Sequence, residues 1–195
     1  MSTCHLLGIS GSLRARSINT EVLRAAALVA PPSVGIALFD GLAELPHFNP
    51  DLEADGAGLP AAVQALRARV AAADGLLICS PEYAHGVPGA LKNVLDWLVS
   101  GSEIPYKPIG LLNASPRSTY AQASLAETLR TMSTELVSGA SIDLPLSGRR
   151  LDAAGIADDP ALAQLLRSAV EALADAVPGY RRLRASLAVP APEGG

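Results

Sequence analysis

The sequence predicts a doubly wound α/β fold, with a five-stranded parallel sheet in the order 2-1-3-4-5 and helices on both faces. Two observations carry this. First, short apolar runs of strand length alternate along the chain with stretches whose apolar residues recur at helical spacing. Such alternation needs right-handed crossovers, which leave few topologies, and five strands favour this order over a six-stranded dinucleotide fold. Second, 49% of the 195 residues are hydrophobic and 17% are charged. That is enough apolar material for a buried core and too little charge for a disordered chain.

The elements follow in order. Cys4 to Ile9 is a short apolar run ending in a Ser/Gly cluster, a buried first strand. A helix runs from about Thr20 to Ala30, with Val22, Leu23, Ala26, Ala27 and Ala30 on one face and Pro31-Pro32 as its stop. Val34 to Phe39 is the second strand. A loop rich in Gly, Pro and Asp spans Asp40 to Gly58. Pro60 then sits where a first helical turn accepts proline, and Val63, Leu66, Val70 and Ala73 supply the helical spacing. Gly75 to Cys79 is the most apolar run and reads as a central third strand. After the loop Ser80 to Pro88 comes a helix with Leu91, Val94, Leu95 and Leu98 on one face. Pro108 to Asn113 is the fourth strand, followed by a helix with Leu125, Leu129 and Met132. A weaker fifth strand covers Leu136 to Leu144, interrupted at Ser138-Gly139. Asp159-Pro160 combines a good N-cap with proline at the first helical position, and Leu162, Leu165, Leu166, Val170, Leu173 and Val177 mark the last helix. The sum is a flavodoxin-like three-layer α/β/α sandwich. It forms one domain over residues 1–188, with a flexible tail over 189–195.

Composition excludes several function classes. The net charge of -4 gives no electrostatic footprint for nucleic acid, and 4% aromatic residues are too few for a base-stacking platform. Two cysteines do not make a disulfide scaffold. No apolar stretch reaches the roughly 18 to 20 residues of a membrane span, and Met1 to Leu7 lack the features of a signal peptide. The expected location is cytoplasmic, with neither nucleic acid nor membrane as partner.

In such sheets a ligand sits outside the carboxyl ends of the strands, so the loops after strands one, three and four come first. The loop after strand one, Ser10 to Thr20, is neither GxGxxG nor GxxxxGK[ST]. It places four hydroxyl residues, two arginines and an asparagine between a strand end and a helix N-terminus. Outward N–H groups and the helix dipole favour an anion there, and arginine adds a charge-assisted hydrogen bond. This is a phosphate site rather than a simple cap by Ser17 or Asn19. The loop after strand three, from Ser80, carries two prolines and two glycines up to Gly89, with Tyr83 as an aromatic surface. Its backbone can approach a flat ligand closely.

The segment PEYAHGVPGALKNVLDW resembles the signature of the NADPH-dependent FMN reductase family, the flavodoxin-like group of quinone, azo-dye and chromate reductases. The first loop, GSLRARSIN, resembles the same family's GSxRxxSxN phosphate loop. The resemblance implies that Ser12, Arg14, Ser17, Ile18 and Asn19 surround the FMN phosphate, and that Pro81, Glu82, Tyr83, His85 and Gly86 flank the ring and ribityl chain. In the loop after strand four Ser115 matches, and Ala121-Gln122 resembles a following AQ pair. The family's glycines are absent there, and Ala84 stands where the family often has Asn.

The activity implied is hydride transfer from NADPH or NADH through bound FMN to a quinone, azo compound, chromate-like oxyanion or free flavin. The flavin carries the chemistry, so no catalytic side chain is nominated. Both substrates use one open face in turn, which implies ping-pong kinetics. The resemblance also implies a homodimer or homotetramer, with Leu98 to Tyr106 and the helix near Pro88 as candidate interface. Two rivals are a flavodoxin-type electron carrier, against which Arg14 and the modest net charge argue, and a flavin-free binding domain on the same scaffold. Cys4 and Cys79 read as buried inert thiols, and His5, His47 and His85 show no metal-ligand spacing.

Overall fold

A computed structural model describes residues 3–53 and 58–187; the tail expected over 189–195 lies outside them. The strands are β1 (Cys4–Ser10), β2 (Val34–Phe39), β3 (Gly75–Cys79), β4 (Pro108–Asn113), β5 (Glu135–Leu136) and β6 (Ile142–Asp143). The helices are α1 (Ile18–Val29), α2 (Ala61–Ala72), α3 (Gly89–Val99), α4 (Thr119–Thr131), α5 (Ala153–Ala157) and α6 (Pro160–Leu187). All pairings are parallel, in the order β2-β1-β3-β4-β5, with β6 also on β4. This is the expected flavodoxin-like order.

Side-chain alternation within the apolar strands feeds two cores. Leu6 of β1 and Leu77 and Cys79 of β3 face α1, α5 and α6, where they meet Val22, Leu23, Leu166 and Leu173. Their neighbours Leu7, Leu76 and Ile78 face α2, α3 and α4, against Val63, Leu66, Leu95 and Trp97. A sheet covered on both faces needs continuous apolar runs rather than polar alternation, which is why GLLIC reads so plainly.

The edge strand is interrupted at Ser138-Gly139, as expected, and what remains of it is short. It is two two-residue pieces, β5 pairing with the start of β4 and β6 with its end. Between them a 3-10 turn, Ser138–Ala140, tucks the fully buried Ala140 against Gly110. A Cβ on Gly110 would lie 2.8 Å from both the Cβ and the carbonyl oxygen of Ala140. Ser141 Oγ accepts from Leu111 N–H at 3.3 Å and spans the gap in the ladder.

Two helical features differ from expectation. The expected single helix after the edge strand is preceded by α5, whose five residues are too few to show a 3.6-residue period. Asp152 caps α5 by accepting from Gly155 N–H, and Glu21 of α1 accepts from Ala153 N–H. The last helix does not stop near Val177. It continues through Pro178 to Leu187, because Tyr180 is buried and Arg181 ties the following turn to Asp74.

The LKNVLDW stretch has a structural role. Asn93 and Trp97, one turn apart on α3, hold the segment after β2. Trp97 Nε1 and Asn93 Nδ2 both donate to Pro46 O, and Asn93 Oδ1 accepts from Phe48 N–H. The Phe48 ring meets Trp97 edge-on at 5.0 Å. Trp97→Phe removes the N–H donor and leaves a void where the smaller ring fails to fill the fully buried indole site. It is expected to cost about 2 to 4 kcal/mol, read as a lower urea midpoint with an unchanged slope.

Candidate cofactor site at the carboxyl edge of the sheet

β1 and β3 end side by side, so their loops meet at the carboxyl edge. Gly11 N–H donates to Cys79 O at 2.9 Å, extending the β1–β3 ladder by one residue. A Cβ on Gly11 would fall 2.3 Å from Ser80 Oγ and 2.8 Å from Ser80 Cβ. The two candidate loops are therefore in contact, with glycine at the point of closest approach.

The first loop is ordered by its own hydroxyls. Thr20 Oγ1 donates to Ser10 Oγ, Ser12 N–H donates to Ser10 Oγ, and Arg14 N–H donates to Ser12 Oγ. Ser17 takes the N-cap position of α1, is buried, and makes no side-chain capping bond. Glu21 N–H is the first to find a helical acceptor, Ser17 O. The N–H groups of Ile18, Asn19 and Thr20 thus have no acceptor among the described residues. Asn19 is buried with its side-chain oxygen Oδ1 accepting from the Cys79 thiol at 3.3 Å, and its amide nitrogen has no partner among the described residues. Neither Ser17 nor Asn19 caps the helix. Arg14 and Arg16 are exposed and make no ion pair among the described residues. The result is a cluster of N–H donors, an uncommitted hydroxyl, a free amide and two cations at a helix start, a donor set suited to a dianion.

The second loop is tighter than the sequence suggests. Tyr83 and Gly86 exchange both backbone hydrogen bonds, at 3.1 and 2.9 Å, closing a two-residue turn over Ala84 and His85. Both central residues are left-handed, with φ of +50° and +59°. That conformation normally calls for Asn-Gly and costs about 1 to 2 kcal/mol per residue with a side chain. Gly86 and Gly89, which the sequence marks as the permissive positions, have ordinary backbone; a Cβ on Gly86 would lie 3.6 Å from Tyr83 O, and one on Gly89 would meet nothing within 4 Å. The Tyr83 ring is half exposed, and the N–H groups of Ala84 and His85 have no acceptor among the described residues.

Glu82 points away from this turn, toward α4. Its Oε2 accepts from Ala121 N–H at 2.8 Å. The helix's own N-cap, Ser118, makes no side-chain capping bond, so the carboxylate from the neighbouring loop does that work. The His85 ring stacks on Tyr120 of the same helical turn, with centroids 4.3 Å apart and planes 18° from parallel. Pro81 is partly buried at the head of the loop. Ser115 is held on its own side of the edge, by Asn113 Oδ1 at its N–H and by Ser147 Oγ at 3.5 Å. Beside it a cleft of about 230 Å³ is lined by Asn113, Gln122, Ser141 and Asp143.

Gly11, Thr20 and Tyr120 belong to this assembly without having been nominated from sequence. Gly11 carries a signal in its Gly-Ser pair after a strand. Tyr120 carries only that of an aromatic at a helix start on a flanking loop. Burial pushes the Cys79 thiol pKa up and that of Cys4 up to about 11, so both stay protonated at neutral pH. Both are free thiols. No helix among the described residues is long and apolar enough to cross a membrane.

Residues 4–143 match the NADPH-dependent FMN reductase family. An NAD(P)H-dependent FMN reductase of Pseudomonas aeruginosa is 35% identical over 173 residues, spanning 86% of this chain and 92% of the relative. A quinone reductase of Escherichia coli is 39% identical over 99 residues, 51% of this chain and 50% of the relative. Among solved structures, the flavoenzyme NAD(P)H:(acceptor) oxidoreductase FerB from Paracoccus denitrificans superposes with a TM-score of 0.75 at 27% identity, covering 91% of this chain and 98% of its own.

Proposed function

The chain belongs to the NADPH-dependent FMN reductase family of oxidoreductases, and from that membership we propose that it binds one FMN, not FAD, across the carboxyl edge of the sheet. On this reading it passes hydride from NADPH or NADH to a quinone-like, azo, metal-oxyanion or flavin acceptor, in a single domain over residues 1–188. The observation that carries the reading is the start of α1. Three N–H groups without acceptors among the described residues and a buried N-cap, Ser17, whose hydroxyl makes no capping bond lie beside a loop bearing two arginines that make no ion pair among those residues. A second phosphate loop for an adenine half is not apparent in the sequence.

When bound, FMN supplies the hydride chemistry. The protein's part is to bind and orient. The N–H groups of Ile18, Asn19 and Thr20, the hydroxyls of Ser12 and Ser17 and the Asn19 amide take the phosphate oxygens. The turn at Pro81 to Gly86 lies along the ring, with the free N–H groups of Ala84 and His85 as donors to its polar edge. Ser115 and the cleft beside it border the open side. The quinone reductases match about half of the chain, and a quinone acceptor is the natural first substrate to test. A dimer or tetramer through the α3 region completes the reading.

A phosphate monoester carries about -1.5 to -2 charge, whereas a helix N-terminus offers about half a positive unit. A side-chain cation is therefore needed. Arg14 follows the turn that Ser12 Oγ closes on its N–H, and Arg16 lies two residues further out. Arg14→Ala is expected to weaken FMN by about 1.5 to 3 kcal/mol, and Arg16→Ala far less. Titration of the apo-variants with FMN measures both. Parent-like affinity of the Arg14 variant would show that backbone and hydroxyl groups alone hold the phosphate, and recovery of FAD alone from purified protein would refute the cofactor assignment.

A further inference from the structure

The ring-side turn is built at a cost that its own sequence does not relieve. Ala84 and His85 are consecutive left-handed residues bearing side chains, in a turn type that glycine or asparagine normally supplies. Strain of this kind persists only where the surroundings over-determine it. The surroundings are specific here. The turn is closed by the Tyr83–Gly86 hydrogen-bond pair, anchored at its head by the Glu82 carboxylate on Ala121 N–H, and covered at its tip by the Tyr120 ring stacked on His85. The two last contacts land on adjacent residues of α4, so one helical turn grips the loop at two points. Tyr120 is otherwise exposed and does not belong to either core.

We propose that Tyr120 is a positioning residue for the flavin ring: by stacking on His85 it holds Ala84 and His85 left-handed and so keeps their N–H groups free for the ring's acceptor atoms. This rests on the flavin-site reading above. The turn's outer N–H and C=O groups bond to each other, so only the central N–H groups remain for a ligand, and their direction depends on the left-handed backbone. Released from the stack, the tip relaxes toward ordinary φ values and those donors turn away. Tyr120 acts through His85 and touches no reacting atom. It governs recognition of the ring, whereas the loop after β1 governs recognition of the phosphate.

That division gives the test. Apo-protein is titrated with FMN and with riboflavin, which carries the ring but no phosphate. Tyr120→Ala is expected to raise both dissociation constants by the same factor, about tenfold, leaving their ratio as in the parent. Arg14→Ala should change FMN alone. Tyr120→Phe keeps the stacking face and should bind both ligands like the parent. Glycine accepts a positive φ without strain, so His85→Gly placed in the Tyr120→Ala background should recover most of the lost affinity. In the apo-protein, proton NMR should show the His85 ring shifted by the neighbouring aromatic in the parent and in Tyr120→Phe, and unshifted in Tyr120→Ala. A Tyr120→Ala protein that loses thermal stability but binds riboflavin like the parent overturns the positioning role, as does a loss confined to FMN. A parent protein that binds neither flavin refutes the site reading itself, and the inference with it.

Discussion

Gly11→Ala is expected to destabilise the protein by about 3 kcal/mol, at the upper end of the range for overpacking, and to abolish FMN binding at concentrations that saturate the parent. The argument is steric. The added Cβ would sit 2.3 Å from Ser80 Oγ, 2.8 Å from Ser80 Cβ and 3.1 Å from a Leu91 methyl. The hydroxyl can rotate and the methyl can swing, but Ser80 Cβ is fixed to the backbone immediately after β3. Relief therefore requires the loops after β1 and β3 to separate, and the Gly11 N–H bond to Cys79 O resists that movement. These loops carry the proposed phosphate and ring contacts, so stability and cofactor affinity should fall together. Adding Ser80→Gly removes the two nearest atoms and should restore much of both. Urea unfolding of the four proteins in the double-mutant cycle gives the coupling. Additive losses would mean that the clash is not between these two residues.

The parts of this molecule that the sequence reveals are those where one residue type answers one local demand. Gly75 to Cys79 and Pro108 to Asn113 are strands because both sheet faces are covered, and their bounds can be read directly from the apolar runs. Asp159 caps α6 through bonds to Ala161 and Leu162 N–H, as a residue before Pro160 should. Pro60 is a boundary case: it takes the N-cap of α2 rather than the first turn, and its carbonyl accepts from Val63 and Gln64 N–H.

What is hidden depends on partners distant in sequence. The break in the edge strand shows locally as Ser138-Gly139, but the partner that accommodates it, Gly110 leaving room for Ala140, is encoded by no local pattern. α6 outlasts Pro178 because Asp74, more than a hundred residues earlier, holds Arg181. In the site, the donor-rich loop is visible as composition, but its availability is not. Only the structure shows that Ser17 leaves its capping bond unmade and that Glu82 is engaged by α4. The left-handed turn is hidden for a related reason. Ala84-His85 carries none of the glycine or asparagine that would announce it, and the Tyr120 contact that accompanies it lies on another element.

At the opposite, amino-terminal edge of the sheet, Lys107 should make the protein more stable as pH rises from about 8 to 10.5, by about 3 kcal/mol in total. Its side chain is fully buried just before β4. The ammonium donates to Ala73 O and lies 4.7 Å over the Tyr180 ring. Burial pushes its pKa down to about 8 and Arg184 adds to the push, with Asp74 and Glu103 opposing. The unfolded chain keeps the ordinary value near 10.5. Between the two values the native state holds fewer protons than the unfolded state, so stability climbs with pH. Below about 8 both states are charged, and the native state carries the whole penalty of a buried ammonium. Asp74 behaves in the opposite sense. Burial raises its pKa, but hydrogen bonds from Arg181 and His5 N–H outweigh that and hold the carboxyl below its usual value. Its contribution is thus complete well below neutral pH and does not enter the alkaline window. Tyr180 and Cys4 titrate at high pH as well, but they are present in both proteins when the parent is compared with Lys107→Met. The measurement is the difference in unfolding free energy between the two, taken by urea titration at intervals from pH 7 to 10.5. The parent should gain on the variant steadily above pH 8. Parallel curves across the window would show that the ammonium is solvated in the folded protein and that Lys107 lends nothing to its pH dependence.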